Sequence, residues 1–220
     1  MRATTFRGEK QLQLQYVDSR VVEEKPVEVK RRKIEVTDLR SIPEPLSGLL
    51  VLVFAEGADK KKANGVDRYS LKPSDELAVY TIPPGPAEFE MILKKVKPKK
   101  VYLIGQGPLT ETTDEFLTRL AGMAKFAISK RSGKTSIPAL AAATAQRELT
   151  IRIGLEWLAA WGHITILGEE DAITLSTGKG EGNEYSQKEL YMAVKGLLEE
   201  TGAYRSFVAT TKDPVSLFNS

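Results

Sequence analysis

The residues best suited to catalysis are few in this 220-residue chain, and they are poorly placed for it. His163 is the sole histidine and there is no cysteine, which excludes disulfides, thiolate chemistry, multi-histidine metal centres and most zinc sites. Any nucleophile–histidine pair would have to use His163, which is predicted at a helix–strand junction, where a structural role is the more frequent one. The acidic run Glu169–Asp171 is predicted at a hairpin tip, where solvated carboxylates lack an apolar pocket to raise a pKa. These residues predict no catalytic site.

Two glycine-containing segments resemble phosphate-binding loops but lack part of the pattern. Gly105-Gln106-Gly107 follows a predicted strand, yet the third glycine of a dinucleotide fingerprint is missing and Pro108 opens a loop. The segment 132–135, SGKT, matches the end of a P-loop, but it lacks the earlier glycine and follows a helix instead of a strand. We therefore expect no nucleotide site, and the chain alone is predicted not to be an enzyme.

Basic residues are the remaining candidates for function, because Lys and Arg neutralise phosphates. The candidate nucleic-acid contacts are Lys30, Arg31, Arg32, Lys33, Lys60, Lys61, Lys62, Lys99, Lys100, Arg147 and Arg152. A run such as 30–33 is more often a solvated edge strand or linker than a phosphate site. Arg147 and Arg152 lie on one predicted helix, where a spacing of five residues turns them apart by about 140°, so they cannot both face one groove.

Charge is unevenly distributed along the chain, whose net charge is +3. From Thr135 onward there are 7 basic and 11 acidic residues, and the rest of the chain has 25 basic and 18 acidic residues. The acidic C-terminal part weakens an interpretation as a duplex-binding protein. Hydrophobic content of 41% and charged content of 28% are typical of a soluble globular protein. Without a signal peptide or an apolar run of roughly 20 residues, we expect a cytoplasmic protein with no membrane partner.

The elements around these residues fall into three predicted segments, 1–42, 43–112 and 113–220. Residues 11–17 of the first segment alternate polar and apolar, which indicates a strand, and 27–30 and 34–37 are further strand pieces. Two strands with one apolar face cannot stand alone. The first segment is therefore predicted to be the remnant of a larger sheet, followed by a linker that starts at Pro43.

The second segment predicts a small, mostly parallel sheet. The apolar run Leu49–Ala55 is typical of a strand buried on both faces, and a lysine-rich loop at 57–65 follows it. Strand Glu76–Ile82, helix Ala87–Val96 and strand Val101–Gly105 then succeed one another, an order that favours parallel pairing.

The third segment predicts a winged helix-turn-helix, and the chain as a whole an α/β fold. A helix begins at Thr113, a short helix is capped by Ser136, and a longer one runs from about Arg147 to Trp161. Strands at 164–167 and 172–175 form a hairpin, the wing, with an acidic tip. A last helix runs from Gln187 to about Thr201, capped by Ser186, and Phe218 is expected to dock back onto the protein.

Several stretches of this sequence resemble the C-terminal region of bacterial RecJ, the 5′→3′ single-stranded-DNA-specific exonuclease. They are Phe116–Gly122 (FLTRLAG), Ala139–Glu148 (ALAAATAQRE) and Gly154–Ala160 (GLEWLAA). Gly8–Asp18 (GEKQLQLQYVD) is similar to the closing strand of the OB-type domain that precedes that region. The resemblance spans most of the chain, and it rests on fold-bearing stretches instead of catalytic signatures.

The resemblance implies a function in DNA repair and recombination. The family's nuclease core binds divalent Mn or Mg through Asp and His residues, including a DHH motif, and nothing in this chain matches it. The chain would then be a C-terminal fragment, or a separately encoded equivalent, without cofactor or nuclease activity of its own. It would guide single-stranded DNA, or recruit the rest of the nuclease, single-strand-binding protein or a helicase.

Two other functions stay open from sequence. A duplex-binding regulator would place its second helix in the major groove. The Ala- and Leu-rich composition of that helix and the acidic wing both argue against this function. A protein-interaction module would use the helix-turn-helix as a scaffold only.

Overall fold

The computed structural model describes residues 2–6, 9–13, 33–42, 48, 50–107, 109–168 and 170–218. The chain forms two compact units, residues 1–31 and 32–220. In the first, β1 (Arg2–Phe6) pairs antiparallel with β2 (Glu9–Gln13), with Phe6 opposite Glu9. The strand pieces predicted at 14–17 and 27–30 and the linker residues 43–47 lie outside the described residues.

The second unit is α/β, with one parallel and one antiparallel sheet. In chain order its elements are β3 (Glu35–Asp38), β4 (Leu52–Phe54), α1 (Asp59–Lys62), β5 (Glu76–Thr81), α2 (Pro86–Val96), β6 (Lys100–Gln106), α3 (Thr113–Lys130), β7 (Lys134–Ser136), α4 (Ile137–Thr144), α5 (Glu148–Ala160), β8 (Ile164–Leu167), β9 (Ala172–Thr177) and α6 (Glu184–Thr210). A 3₁₀ turn at Pro214–Leu217 follows. No helix in the described part of the chain is long and apolar enough to cross a membrane.

The parallel sheet forms what we call the sheet lobe, with α1 and α2. Its strand order is β3-β6-β5-β4 and every pair is parallel, which confirms the parallel sheet predicted from sequence. β3, predicted within residues 1–42, pairs with β6 with Glu35 opposite Lys100. One face packs against α2 and α6 through an apolar core that includes Leu77, Leu103 and Ile92.

The predicted strand Leu49–Ala55 is shorter and less buried than its composition suggests. β4 covers only Leu52–Phe54, and Leu50 is fully exposed. The expectation of burial on both faces was wrong because β4 is the edge strand of the sheet, so only its end, at Phe54 and Ala55, is covered. The segment predicted as a loop at 57–65 contains one helical turn, α1.

The helices α3, α4 and α5 and the three-stranded sheet form what we call the helical lobe. Ser136 Oγ accepts the N–H of Ala139, which confirms the predicted cap of α4. The predicted hairpin is β8 paired antiparallel with β9, and the strand order is β7-β9-β8. β7, which the sequence did not reveal, is three residues long and pairs with β9.

Gly133 closes this small sheet. Its φ is +78°, its N–H donates to Ala127, and its carbonyl accepts from Leu175. A Cβ at this position would lie 2.0 Å from the Leu175 carbonyl oxygen. Only glycine lets the α3–β7 turn approach β9 this closely.

The last helix extends well beyond its predicted end at Thr201. α6 begins after Asn183, whose side chain accepts from Ser186 N–H, and continues to Thr210. The predicted end and the Ser186 cap are both wrong, because packing with distant elements extends the helix. Gly202 passes close to Thr110, and Val208 beyond it is buried in the core of the sheet lobe.

The chain after α6 folds back onto the sheet lobe. Phe218 is buried, and its ring packs edge-on against Phe89 at a centroid distance of 5.0 Å, which confirms the predicted docking. Arg40 fixes the end of α6 here. It donates to the carbonyls of Val208, Ala209 and Thr211 at 2.7–3.0 Å while its Nε and Nη2 pair with Asp38.

An aromatic cluster lies where α5 meets the start of α6. Trp157 contacts Trp161 edge-on at 5.8 Å and Tyr191 at 6.5 Å. His163 is exposed and stacks on Trp161 at 6.0 Å with an interplanar angle of 7°. We call this set the aromatic cluster.

Replacement of Gly133 by alanine should lower the free energy of unfolding by at least about 2 kcal/mol, because a β-carbon meets backbone at a positive φ. Gly196→Ala is the matched control, since that site in α6 has open space around the added methyl group. It should stabilise the protein by about 0.5–1 kcal/mol. Urea unfolding followed by circular dichroism compares the two, and equal effects would contradict the described turn.

Arg40→Ala should lower the free energy of unfolding by about 2–3 kcal/mol, because charge-assisted hydrogen bonds to the end of α6 are lost. Arg152→Ala removes one exposed ion pair, to Asp171 at 2.8 Å, and should cost less than about 1 kcal/mol. The same denaturation assay measures both, and a smaller loss for Arg40 than for Arg152 would refute this role of Arg40.

Candidate nucleic-acid interface

The basic residues predicted as nucleic-acid contacts do not form one patch. Lys33 precedes β3, and Lys99 and Lys100 lie at the start of β6, so these three share the amino-terminal edge of the parallel sheet. Lys60, Lys61 and Lys62 form part of α1, which follows the carboxyl end of β4 at the opposite edge. Lys30, Arg31 and Arg32 lie outside the described residues.

Most of these lysines have an acidic neighbour. The N–O distances are 2.5 Å for Lys60–Asp67, 3.4 Å for Lys62–Asp59, 2.8 Å for Lys99–Asp75 and 3.2 Å for Lys100–Glu35. In the described part of the chain, Lys33 and Lys61 have no ion pair. Exposed pairs such as Lys99–Asp75 stabilise little and can open for another anion.

The two arginines at α5 are held in place by carboxylates. Arg147 lies 2.8 Å from Glu200 of α6 and 4.0 Å from Glu88 of α2, so it connects the two lobes. Arg152 pairs with Asp171 in the turn between β8 and β9. α6 also packs along α5. The helix that a duplex-binding protein would insert into DNA is thus covered on one side, and its two arginines are engaged.

Three depressions in the second unit meet at one residue, Arg119 of α3. The first, which we call the inner cavity, has a volume of about 390 Å³ and lies at the carboxyl edge of the parallel sheet. The second, the interlobe cleft, has a volume of about 1110 Å³ and lies between α1 and α4. The third, the α3–α4 groove, has a volume of about 360 Å³. Arg119 lines all three.

Arg119 is positioned by two neighbours. Its Nη2 donates to the Glu111 carboxylate at 2.7 Å and to the Thr144 carbonyl at 3.2 Å, at the end of α4. Gln146 donates to the same carboxylate at 3.1 Å. The Nε of Arg119 is buried and has no hydrogen-bond partner among the residues that the structure describes. Two hydrogen bonds from Nη2 therefore hold the guanidinium of Arg119 in place. Its Nε–H donates no hydrogen bond to any described residue.

Two of the predicted nucleic-acid contacts, Lys60 and Lys61, line the interlobe cleft. Burial alone would raise the pKa of Asp67, but hydrogen bonds from Lys60 and Ser70 outweigh it and lower that pKa. On the opposite side the Gly57 N–H donates to the Ala142 carbonyl at 2.9 Å and joins the two lobes. The cleft therefore has lysine side chains on one wall. A backbone hydrogen bond between the two lobes holds that wall against the other.

The α3–α4 groove has a floor of small residues and an exposed aromatic ring. Gly122, Ala139 and Ala143 leave space between the helices. Phe126 of α3 is 52% exposed, and the Arg131 guanidinium lies 5.4 Å from its ring centroid. A flat ring beside a cation, at an open groove, is an arrangement that can stack a nucleobase.

The surface around this groove is basic because a long part of the sequence has no acidic residue. Between Glu115 and Glu148 the basic residues are Arg119, Lys125, Lys130, Arg131, Lys134 and Arg147, and there is no Asp or Glu. Of this set only Arg147 was predicted from sequence, because a charge count divided at Thr135 splits the acid-free stretch between two parts of the chain. The signal for this set in the sequence is the absence of Asp and Glu between Glu115 and Glu148.

A buried ion pair lies at the wall of the inner cavity. Glu56 and Arg68 are 1% and 2% exposed, and Glu56 accepts from the backbone N–H and from Nε and Nη2 of Arg68. Burial lowers the pKa of Arg68, but Glu56 outweighs this effect and raises it. In the described part of the chain no cluster of three or more His, Asp or Glu side chains is arranged to hold a metal ion.

None of the comparisons with family models, with curated proteins and with solved structures finds a match for this chain. The resemblance to RecJ therefore stays a prediction from sequence, and the site is interpreted from its geometry and charge.

Phe126→Ala should change the free energy of unfolding by less than about 1 kcal/mol, because the ring is exposed and contributes mainly its contact with Arg131. Phe116→Ala on the same helix removes a fully buried ring and should cost about 3–5 kcal/mol. Chemical denaturation of both variants measures the difference. A large loss for Phe126 would make it a structural residue and remove it from the candidate site.

Proposed function

We propose that this chain is the C-terminal accessory region of a RecJ-like 5′→3′ single-stranded-DNA exonuclease and that it binds the single strand. The strand would follow the interlobe cleft and the α3–α4 groove. Cleavage, and the divalent metal it requires, would belong to a nuclease core that this chain does not contain.

The observation that carries the proposal is the α3–α4 groove, whose described lining contains Arg119 and Arg131 and no acidic residue, with Phe126 exposed beside it. Single strands are bound without sequence preference by cations that track phosphates and by aromatic rings on which bases stack. Lys60, Lys61 and Arg131 supply the first component and Phe126 the second. The narrow groove with its small-residue floor suits an unpaired base better than a duplex.

We interpret the helical lobe as a winged helix that has lost the ability to read duplex DNA. The order α3–β7–α4–α5–β8–β9 and the strand order β7-β9-β8 support this interpretation. The wing tip carries Glu170 and Asp171, and α5 is covered by α6, which count against major-groove insertion. The β1–β2 hairpin is, in the same proposal, the end of an OB-type sheet.

A role in recruiting protein partners, such as single-strand-binding protein or a helicase, has support from a different surface. Trp161, Tyr185 and Met192 are 43%, 73% and 58% exposed around the aromatic cluster. Exposed Trp and Tyr are enriched where proteins bind one another. The two roles are compatible because they use separate surfaces.

Fluorescence anisotropy with labelled single-stranded and duplex oligonucleotides tests the proposal. The purified chain should bind the single strand more tightly, with affinity falling steeply between about 50 and about 200 mM salt. The triple variant Lys125→Glu, Arg131→Glu and Lys134→Glu should reduce the slope of log K against log salt by about 2, since each lost contact with a single strand contributes about 0.7.

The matched control is Lys72→Glu, Lys179→Glu and Lys212→Glu, three exposed lysines that line neither the interlobe cleft nor the α3–α4 groove. This variant has the same net charge as the test variant and should retain most of the affinity. Equal losses of affinity in the test and control variants would show that the net charge of the protein, and not the position of the basic residues, determines binding. Tighter, sequence-dependent duplex binding would favour the regulator, and no binding to either probe would favour the protein-interaction module.

A further inference from the structure

The aromatic cluster lines an open pocket where α5 meets the start of α6, which we call the aromatic pocket. Its volume is about 740 Å³, within the range of small-molecule sites. The described lining residues are Trp157, Trp161, Tyr191, Met192, Glu184, Gln187 and Lys188. None of them lines the interlobe cleft or the α3–α4 groove. The pocket is therefore separate from the surface proposed for the single strand, and three of its seven described side chains are aromatic.

The three rings are held in place and lie in different planes. Trp157 and Trp161 meet edge-on with an interplanar angle of 63°, and Trp161 also stacks on His163. The ring of Tyr191 is tilted by 50° from that of Trp157, and its hydroxyl donates to Asp114 at 3.0 Å. Rings that are already fixed in different planes can contact one ligand group from more than one side, with little further loss of side-chain freedom.

The charge around the aromatic pocket suits a cation. The face of an aromatic ring attracts cations because the ring quadrupole places negative charge there. Two carboxylates add to this attraction, since Glu184 lines the pocket and Asp114 accepts from Tyr191. Lys188 is the one cation among the described lining residues, and it has no ion pair and lies over no ring in the described part of the chain. The ring faces are therefore not occupied by a cation of the described chain.

The lining favours a methylated ammonium over a bare one. A bare ammonium carries three N–H donors, and each of them needs an acceptor when water is displaced. The rings and Met192 offer no strong acceptor, and the Tyr191 hydroxyl is bonded to Asp114. The amide of Gln187 is turned to the Ala160 carbonyl, to which it donates at 3.1 Å. A quaternary ammonium has no N–H group, so it can lie against these side chains without losing hydrogen bonds.

We propose that the aromatic pocket is a binding site for a quaternary ammonium group. The methyl groups lie against the rings of Trp157, Trp161 and Tyr191, and Glu184 places a negative charge beside them. The group can belong to a small molecule such as choline or to a trimethylated lysine of a partner protein. The proposal goes beyond single-strand binding and does not depend on it.

Titration with choline chloride, followed by tryptophan emission at constant ionic strength, tests the site on the full chain. Both tryptophans of the chain lie in the aromatic cluster, so their emission should change and reach saturation. The control ligand is the neutral isostere of choline in which a tert-butyl group replaces the trimethylammonium group. It should bind at least about 5-fold more weakly, because it has the same shape but no charge. Equal binding of the two ligands, or no saturable change with choline, would overturn the proposal.

Trp161→Ala removes the most exposed of the three rings and should weaken choline binding at least about 5-fold, while Trp157 still reports binding. Trp161→Phe keeps a smaller ring and should restore part of the affinity. Phe207→Ala is the matched control, because this ring of α6 is 55% exposed and lies outside the described lining of the pocket. Lys188→Gln removes a like charge and should strengthen binding by up to about 5-fold. If choline binds Trp161→Ala as tightly as Phe207→Ala, the rings are not the site.

Short peptides with a single lysine, unmodified or trimethylated, identify the source of the group. Tighter binding of the trimethylated peptide than of choline would assign the group to a partner protein, and weaker binding would assign it to a small molecule. Equal binding of the unmodified and the trimethylated peptide would contradict the proposal. Because these titrations contain no nucleic acid, failure of single-strand binding and failure of this site are distinguishable.

Discussion

The structure of residues 32–220 depends on α6 being buried in two hydrophobic cores at once. Val194 and Leu198 belong to the core of the helical lobe, and Val208, almost three turns beyond Leu198, to that of the sheet lobe. This one continuous helix of 27 residues connects the two cores. The relative placement of the lobes, and with it the width of the cleft between them, is therefore set by a single rigid element.

Arginine side chains secure this placement because a planar guanidinium can donate to several acceptors at fixed angles. Arg40 binds the end of α6, Arg205 joins α6 to the ends of β5 and α4, and Arg147 pairs with α2 and α6. Two of them bind backbone carbonyls, which are available only where strands or helices end. The inner cavity, the interlobe cleft and the α3–α4 groove therefore lie close to the ends of strands and helices.

Elements with strong local patterns could be predicted from sequence, and those fixed by distant contacts could not. The apolar run of β5 and the helical spacing of α2 are local, so their bounds agree within about two residues of prediction. β7 has three residues and exists only because β9 pairs with it. The site was largely missed because its basic residues spread over α3, β7 and the start of α5, where no short motif joins them. Lys60, Lys61 and Arg147 were the exceptions.

The aromatic cluster gives the helical lobe an optical signal of its own. Both tryptophans of the chain, Trp157 and Trp161, lie on or directly after α5, so intrinsic emission reports the helical lobe alone. Tyr80 and Tyr102 lie in the sheet of the other lobe, whereas Tyr191 belongs to the aromatic cluster, so tyrosine absorbance reports both lobes. If α6 makes the lobes unfold as one cooperative body, indole emission and tyrosine absorbance will change at the same denaturant concentration. A helix interrupted at Gly202 would instead leave part of the change in tyrosine absorbance at a different denaturant concentration from the change in indole emission.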